Sequence, residues 1–195
     1  MERRHWDART PKTGERAPDF QVLDEAGKRT TLSKLSNGGP LVLLFIRSHQ
    51  EPVCLRQLLD YRDATLSFSL LGARIACVSA EGPSLLAFFR RERGIGFPMV
   101  SDEGGHVAES LGLLDPRDHG GVAHPATFVL DRDLTVRQRV LDSLARRTPA
   151  DEMLRLVRRG GAAPKSVLST AGVGPRLHRL VQAVQHAFRP ARLVR

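Results

Sequence analysis

Cysteine is scarce in this chain: Cys54 and Cys77 are its only two among 195 residues. Two thiols are too few for a disulfide scaffold or a cysteine-built zinc site, so both are expected to stay reduced, with at least one of them available for chemistry. Long apolar runs are missing as well. No stretch approaches the roughly 20 residues that span a bilayer as a helix, and the start, Met1-Glu-Arg-Arg-His-Trp6, lacks the apolar centre of a secretory signal. A cytoplasmic location is therefore expected. The third absence is local: residues 160–195 carry Lys165, Arg176, Arg179, Arg189, Arg192 and Arg195 but no acid. That stretch holds six of the nine net positive charges, so the rest of the chain is only mildly basic. The charge is thus no nucleic-acid signature of the whole protein, and no specific nucleic-acid partner is expected.

What is present fits one domain with an appendage, since 41% hydrophobic content over this length supports a full core. Residues 1–13 are polar, without apolar periodicity, and read as a flexible leader. A short hairpin is expected from Phe20 to Leu32, followed by a turn through Asn37-Gly38-Gly39-Pro40. Strands at Leu41–Ile46, Ala73–Ser79 and Pro98–Val100 then alternate with helices at about Pro52–Phe68, Pro83–Arg93 and His106–Leu111. An antiparallel hairpin, Ala126–Leu130 with Thr135–Leu141, and a helix from Pro149 to Arg159 complete the pattern. Such an order implies a three-layer α/β domain over residues 14–159, with a mixed sheet and helices on both faces. Residues 160–175 read as a linker. Residues 176–195 read as a basic amphipathic helical tail, with Leu177, Leu180, Val181, Val184 and Phe188 on one stripe. The stripe suits docking on its own domain or on a second subunit in a homodimer, with contact to an anionic membrane surface as the alternative.

Cys54 falls where the apolar strand gives way to a helix. Unpaired backbone N–H groups and the positive end of the helix dipole converge there and favour a thiolate, so Cys54 is the candidate nucleophile. Pro52 suits the first helical turn, where it has no N–H to lose. Glu51 lies at the cap position, able to accept a backbone hydrogen bond. Its charge opposes a nearby thiolate, whereas Arg47 or Arg56 within a few ångströms would favour one. Cys77 alternates within a strand expected to be covered on both faces, and core packing explains it. His49 and His124 could flank the pocket as proton donors or orienting groups. Nothing in the spacing of Cys54, His49 and His124 demands a metal, and no cofactor is implied.

The order of elements and five local motifs resemble the thioredoxin-fold peroxiredoxins of the alkyl hydroperoxide reductase and thiol-specific antioxidant (AhpC/TSA) group. The motifs are Ala17-Pro-Asp-Phe20, Leu41–Leu58 around Cys54, Ile75-Ala-Cys-Val-Ser79, Phe97-Pro-Met-Val-Ser-Asp102 and Pro125-Ala-Thr-Phe-Val-Leu-Asp131. The resemblance implies a thiol-dependent peroxidase in which Cys54 attacks a peroxide and becomes a sulfenic acid. With Cys77 in the core, the reductant would be an external thiol: thioredoxin, glutaredoxin or a small thiol. Two departures stand out. The family pattern places a proline seven residues before the cysteine and a threonine or serine three before it, where this chain has Arg47 and Glu51. Such proteins also commonly carry an arginine just before the Ala-Thr-Phe strand, where this chain has Pro125, which the likeness to thioredoxins suggests is cis. Glu51-Pro-Val-Cys54 also looks like a Cys-Pro-X-Cys motif that has lost its first cysteine. Two alternatives follow: a thioredoxin-like disulfide oxidoreductase, or a catalytically silent thioredoxin-fold module that binds a partner or senses redox state.

Overall fold

Residues 10–115 and 122–159 are described in the computed structural model of the chain. Strands β1 (Gln21–Leu23) and β2 (Arg29–Thr31) form the expected hairpin. Where a turn was expected next, a short helix α1 (Leu32–Ser36) forms instead. Thr31 caps it by accepting from the Lys34 N–H, and Asn37 ends it in the left-handed conformation, two local bonds that stabilise a single helical turn. Strand β3 (Leu41–Phe45) is apolar at every position and buried throughout. The long helix expected after it is two: α2 (Pro52–Asp63) and α3 (Thr65–Leu70). At the break, the Thr65 hydroxyl donates back to the Tyr61 carbonyl (3.0 Å), a bond that bends helices. Strand β4 (Arg74–Ser79), helix α4 (Pro83–Glu92), strand β5 (Met99–Ser101) and helix α5 (His106–Ser110) follow. The antiparallel pair β6 (Ala126–Leu130) and β7 (Val136–Leu141) and a last helix α6 (Ala150–Arg159) close the domain.

The seven strands form one mixed sheet in the order β2-β1-β5-β4-β3-β6-β7. β3 runs parallel to β4, with Leu44 opposite Cys77, and antiparallel to β6, with Phe45 opposite Ala126. Its alternate side chains feed two cores. Leu41, Leu43 and Phe45 pack with Val22, Val100 and Phe128 under α1 and α5. Val42, Leu44 and Ile46 pack with Leu58, Phe68, Leu86 and Met153 under the other four helices. The register matters for function because it fixes where β3 stops: Arg47 emerges beside the segment that leads into β6.

The leader expected over residues 1–13 falls outside the described residues up to residue 9. At its described end Thr10 is buried, and its carbonyl accepts from Arg139 (3.0 Å). The linker and basic tail expected over 160–195 lie outside the described residues. Every peptide bond among the described residues is trans, so the cis bond suggested before Pro125 is not formed. The backbone there is already committed: the His124 N–H donates to the Leu113 carbonyl (2.6 Å), and the Pro125 carbonyl accepts from Asp142 (3.0 Å). His124 itself is 6% exposed. Burial holds its imidazole below the ordinary histidine range, partly offset by Asp142 and Asp115.

Two outcomes follow from this packing. Leu44 is fully buried at the centre of the sheet, so Leu44→Ala should destabilise the fold by about 3 kcal/mol, read as a lower urea midpoint. An unchanged midpoint would mean that β3 is not the core strand. His124 is held neutral in the folded chain, whereas the unfolded chain protonates it below about pH 6.5. Its contribution to stability is therefore complete above that pH and is lost as pH falls through its lower folded value. Between pH 7.5 and 5.5 the wild type should lose more stability than His124→Gln. Equal losses would contradict the assignment.

Candidate active site

The site forms where β3 ends and α2 begins. After Ile46, whose N–H donates to the Val78 carbonyl (3.2 Å), the chain turns through Arg47–Glu51 and enters α2 with Pro52 in the first turn. Cys54 thus lies in the first turn, at the positive end of the helix, and is completely buried. Glu51 sits at the cap position, but its side chain makes no capping bond. It turns toward the thiol instead: Cys54 Sγ donates to Glu51 Oε2 at 3.4 Å. Arg47 Nε donates to Glu51 Oε1 (3.0 Å) and Arg47 Nη1 to Asp115 Oδ2 (3.2 Å). The two residues by which the turn before Cys54 departs from the family pattern therefore form one ion pair.

A second arginine completes the cluster. Arg147, in the loop between β7 and α6, donates from Nη2 to Cys54 Sγ (3.1 Å) and lies 3.5 Å from Glu51 Oε2. Its Nη1 is pinned by the Ser143 carbonyl (2.6 Å), and its side chain is only 4% exposed. The loop is held by Asp142, whose carboxylate accepts from the Thr148 N–H (3.0 Å) and hydroxyl (2.7 Å). Burial raises the Asp142 carboxyl above its ordinary range despite those bonds. Arg147 lies 93 residues from Cys54 in sequence, and no motif marks it. One clue was available: with Pro125 where the family carries an arginine, a thiolate here needs a cation from elsewhere.

The other candidates divide. Arg47 and Glu51 join the cluster, and His124 lies in the field of Asp115, Arg147 and Arg47. Pro125 is buried beside the end of β3, where Ala126 pairs with Phe45. Arg56 is exposed on α2 and has no hydrogen bond or ion pair among the described residues, because two residues past Cys54 the helix has rotated by roughly 200° and turned it away from the sheet. His49 is drawn to Glu81: Glu81 Oε1 meets His49 Nδ1 at 2.6 Å and accepts from its N–H (3.0 Å) and from the Ser48 hydroxyl (2.6 Å). Burial acts to raise the Glu81 carboxyl, but these bonds and one from Ser79 outweigh it and hold it below its ordinary range. Cys77 is buried on β4, and burial, then the neighbouring Cys54 and Glu81, push its thiol well up. No disulfide links it to Cys54.

A family model described as the AhpC/TSA family matches residues 13–139. Chloroplastic peroxiredoxin Q of Populus jackii is 30% identical over 145 residues, covering 74% of this chain and 67% of that protein. A putative peroxiredoxin of Mycobacterium tuberculosis is 30% identical over 150 residues, covering 75% of this chain and 96% of that one. Among solved structures, peroxidoxin BcpB from Mycobacterium tuberculosis superposes with a TM-score of 0.69 at 28% identity, covering 76% of this chain and 97% of its own. With its mixed sheet and with Cys54 in the first turn of the helix after β3, the chain belongs to the AhpC/TSA family of thioredoxin-fold peroxiredoxins.

Proposed function

We propose that this thiol-dependent peroxidase works through Cys54 alone, reducing hydrogen peroxide or an organic hydroperoxide and being restored by an external thiol. The observation that carries the reading is the contact between Arg147 Nη2 and Cys54 Sγ, 3.1 Å, at the start of α2. A guanidinium and a helix N-terminus together stabilise the thiolate, the form that attacks peroxide. The thiolate attacks the terminal peroxide oxygen, the O–O bond breaks, and hydroxide or alkoxide leaves to be protonated to water or an alcohol, leaving a sulfenic acid on Cys54. Cys77 is a poor resolving partner, because it is buried in the core and its thiol is held protonated. The reductant therefore comes from outside the chain: thioredoxin, glutaredoxin or a small thiol, as a reducing cytoplasm would supply.

Exchange through a Cys-X-X-Cys pair is not favoured, since Glu51 stands where the first cysteine would be. The cation at the thiol likewise speaks against a silent module.

Cys54→Ser should abolish peroxide consumption in stopped-flow measurements, while Cys77→Ala keeps single-turnover oxidation and thiol-driven turnover. Equal rates for wild type and Cys54→Ser would sink the reading, and loss of turnover in Cys77→Ala would make Cys77 the resolving residue. Arg147→Met should slow the peroxide reaction roughly 10- to 100-fold, the worth of one hydrogen bond to a charged group. A change below twofold would remove Arg147 from the mechanism.

A further inference from the structure

We propose that Glu51 is a catalytic proton carrier: it takes the proton from the Cys54 thiol and gives it to the alkoxide released from the peroxide. The proposal rests on Cys54 being the peroxide-reacting thiol. Its geometric basis is a triangle in which Sγ lies 3.4 Å from Glu51 Oε2 and 3.1 Å from Arg147 Nη2, with those two atoms 3.5 Å apart. The other carboxylate oxygen is engaged by Arg47 Nε at 3.0 Å, which aims Oε2 at the thiol.

Charge and access argue in the same direction. Among the described side chains that bond one another at the thiol, Arg47 and Arg147 carry two positive charges and Glu51 and Asp115 two negative ones, a sum that is balanced while Cys54 is a thiol. Three of these four side chains are 16% exposed or less, so a proton lost to water would leave an uncompensated negative charge in a largely buried site. Transfer to Glu51 makes the thiolate without changing the sum. Of the two groups bonded to Sγ, Arg147 is 4% exposed and Glu51 37%. A peroxide from solvent therefore approaches the thiol past the carboxyl that would serve it.

The step balances. The Sγ–H proton moves to Glu51 Oε2, and the thiolate, held by Arg147, attacks the terminal peroxide oxygen. An S–O bond forms as the O–O bond breaks, and the electron pair leaves on the alkoxide. The alkoxide takes the proton from Glu51. Sulfur is oxidised by two electrons and the peroxide is reduced to an alcohol, while Glu51 returns to its starting state.

A proton carrier matters most when the leaving alkoxide is strongly basic. In the full chain, Glu51→Gln should slow reaction with tert-butyl hydroperoxide about 100-fold, within the usual range for loss of a general acid–base group. Peracetic acid, whose carboxylate leaves without a proton, should slow less than about threefold in the same sample. In Glu51→Gln the two arginines face only Asp115 among the described carboxylates of this cluster, so the Cys54 thiolate balances them without a base; the retained peracid rate would report that nucleophile intact, and the loss with tert-butyl hydroperoxide isolates proton delivery to the alkoxide. Wild type should also show a solvent deuterium effect with tert-butyl hydroperoxide that is smaller with peracetic acid, a measurement needing no variant. Equal slowing with both oxidants, no slowing with either, or equal isotope effects would overturn the proposal. If Cys54→Ser consumed either oxidant as fast as wild type, the underlying assignment of Cys54 would fail instead.

Discussion

A thiolate inside a protein needs compensating charge, and in this chain that need organises the end of the sheet. Cys54 is fully buried, so bulk water cannot solvate its charge, and the helix N-terminus supplies only partial charges. Arg147 supplies a whole one, but only because the loop that carries it is fixed. Asp142 holds Thr148, the Tyr61 hydroxyl donates to the Thr148 carbonyl (3.3 Å), and the Ser143 carbonyl pins the guanidinium itself. Packing of α2 against the loop before α6 is thus part of the chemistry, since Tyr61 and Cys54 lie on the same helix.

The strands and most helices were legible because the signals are local. β3 is a continuous apolar run bounded by turn residues, and β6 and β7 flank a polar turn whose Asp131 Oδ1 accepts from the Thr135 N–H (3.0 Å). Cys54 was legible for the same reason, as a cysteine at a strand-to-helix junction. What could not be read depends on contacts distant in sequence. Arg147 is one of many arginines until β6 and β7 bring its loop back over α2. Arg56 looked equally eligible because it is nearer in sequence, yet helical geometry sends it to solvent. Glu51 was placed at the helix cap, but the choice between capping and facing the thiol rests on Arg47 and Arg147, which only the folded chain sets beside it. The trans bond before Pro125 has a similar origin, with both neighbouring backbone groups committed across the fold.

The polar groups around the turn sort into two sets. Glu81 gathers Ser48, His49 and Ser79 into a network that ties the start of the turn to the end of β4. The His49 ring also packs against Phe89 at a tilt of 55°, ring centres 4.6 Å apart, so this set fixes backbone position. In the other set, Glu51 and Arg147 meet the thiol, and Arg47 ties Glu51 to Asp115 behind them. A histidine beside a cysteine in sequence invites a catalytic role. Here the nearer histidine holds the scaffold, and a distant arginine reaches the sulfur.

Arg47 and Glu51, the departures from the family pattern at the turn before Cys54, make sense only together. Threonine at position 51 with Arg47 retained would remove one of the two carboxylates facing the arginines and leave the cluster with excess positive charge. Proline at position 47 with Glu51 retained would remove the cation that aims the carboxylate and leave excess negative charge beside the thiol. With Cys54 as a thiol, either single change unbalances a largely buried set of charges, whereas exchanging both partners for neutral residues leaves the sum unchanged. Arg47 and Glu51 therefore act as one unit, joined at 3.0 Å, and Arg147 extends that unit to the sulfur. Where the family pattern has a proline and a hydroxyl, this turn is ionic, and its carboxylate is the more exposed of the two groups bonded to the thiol.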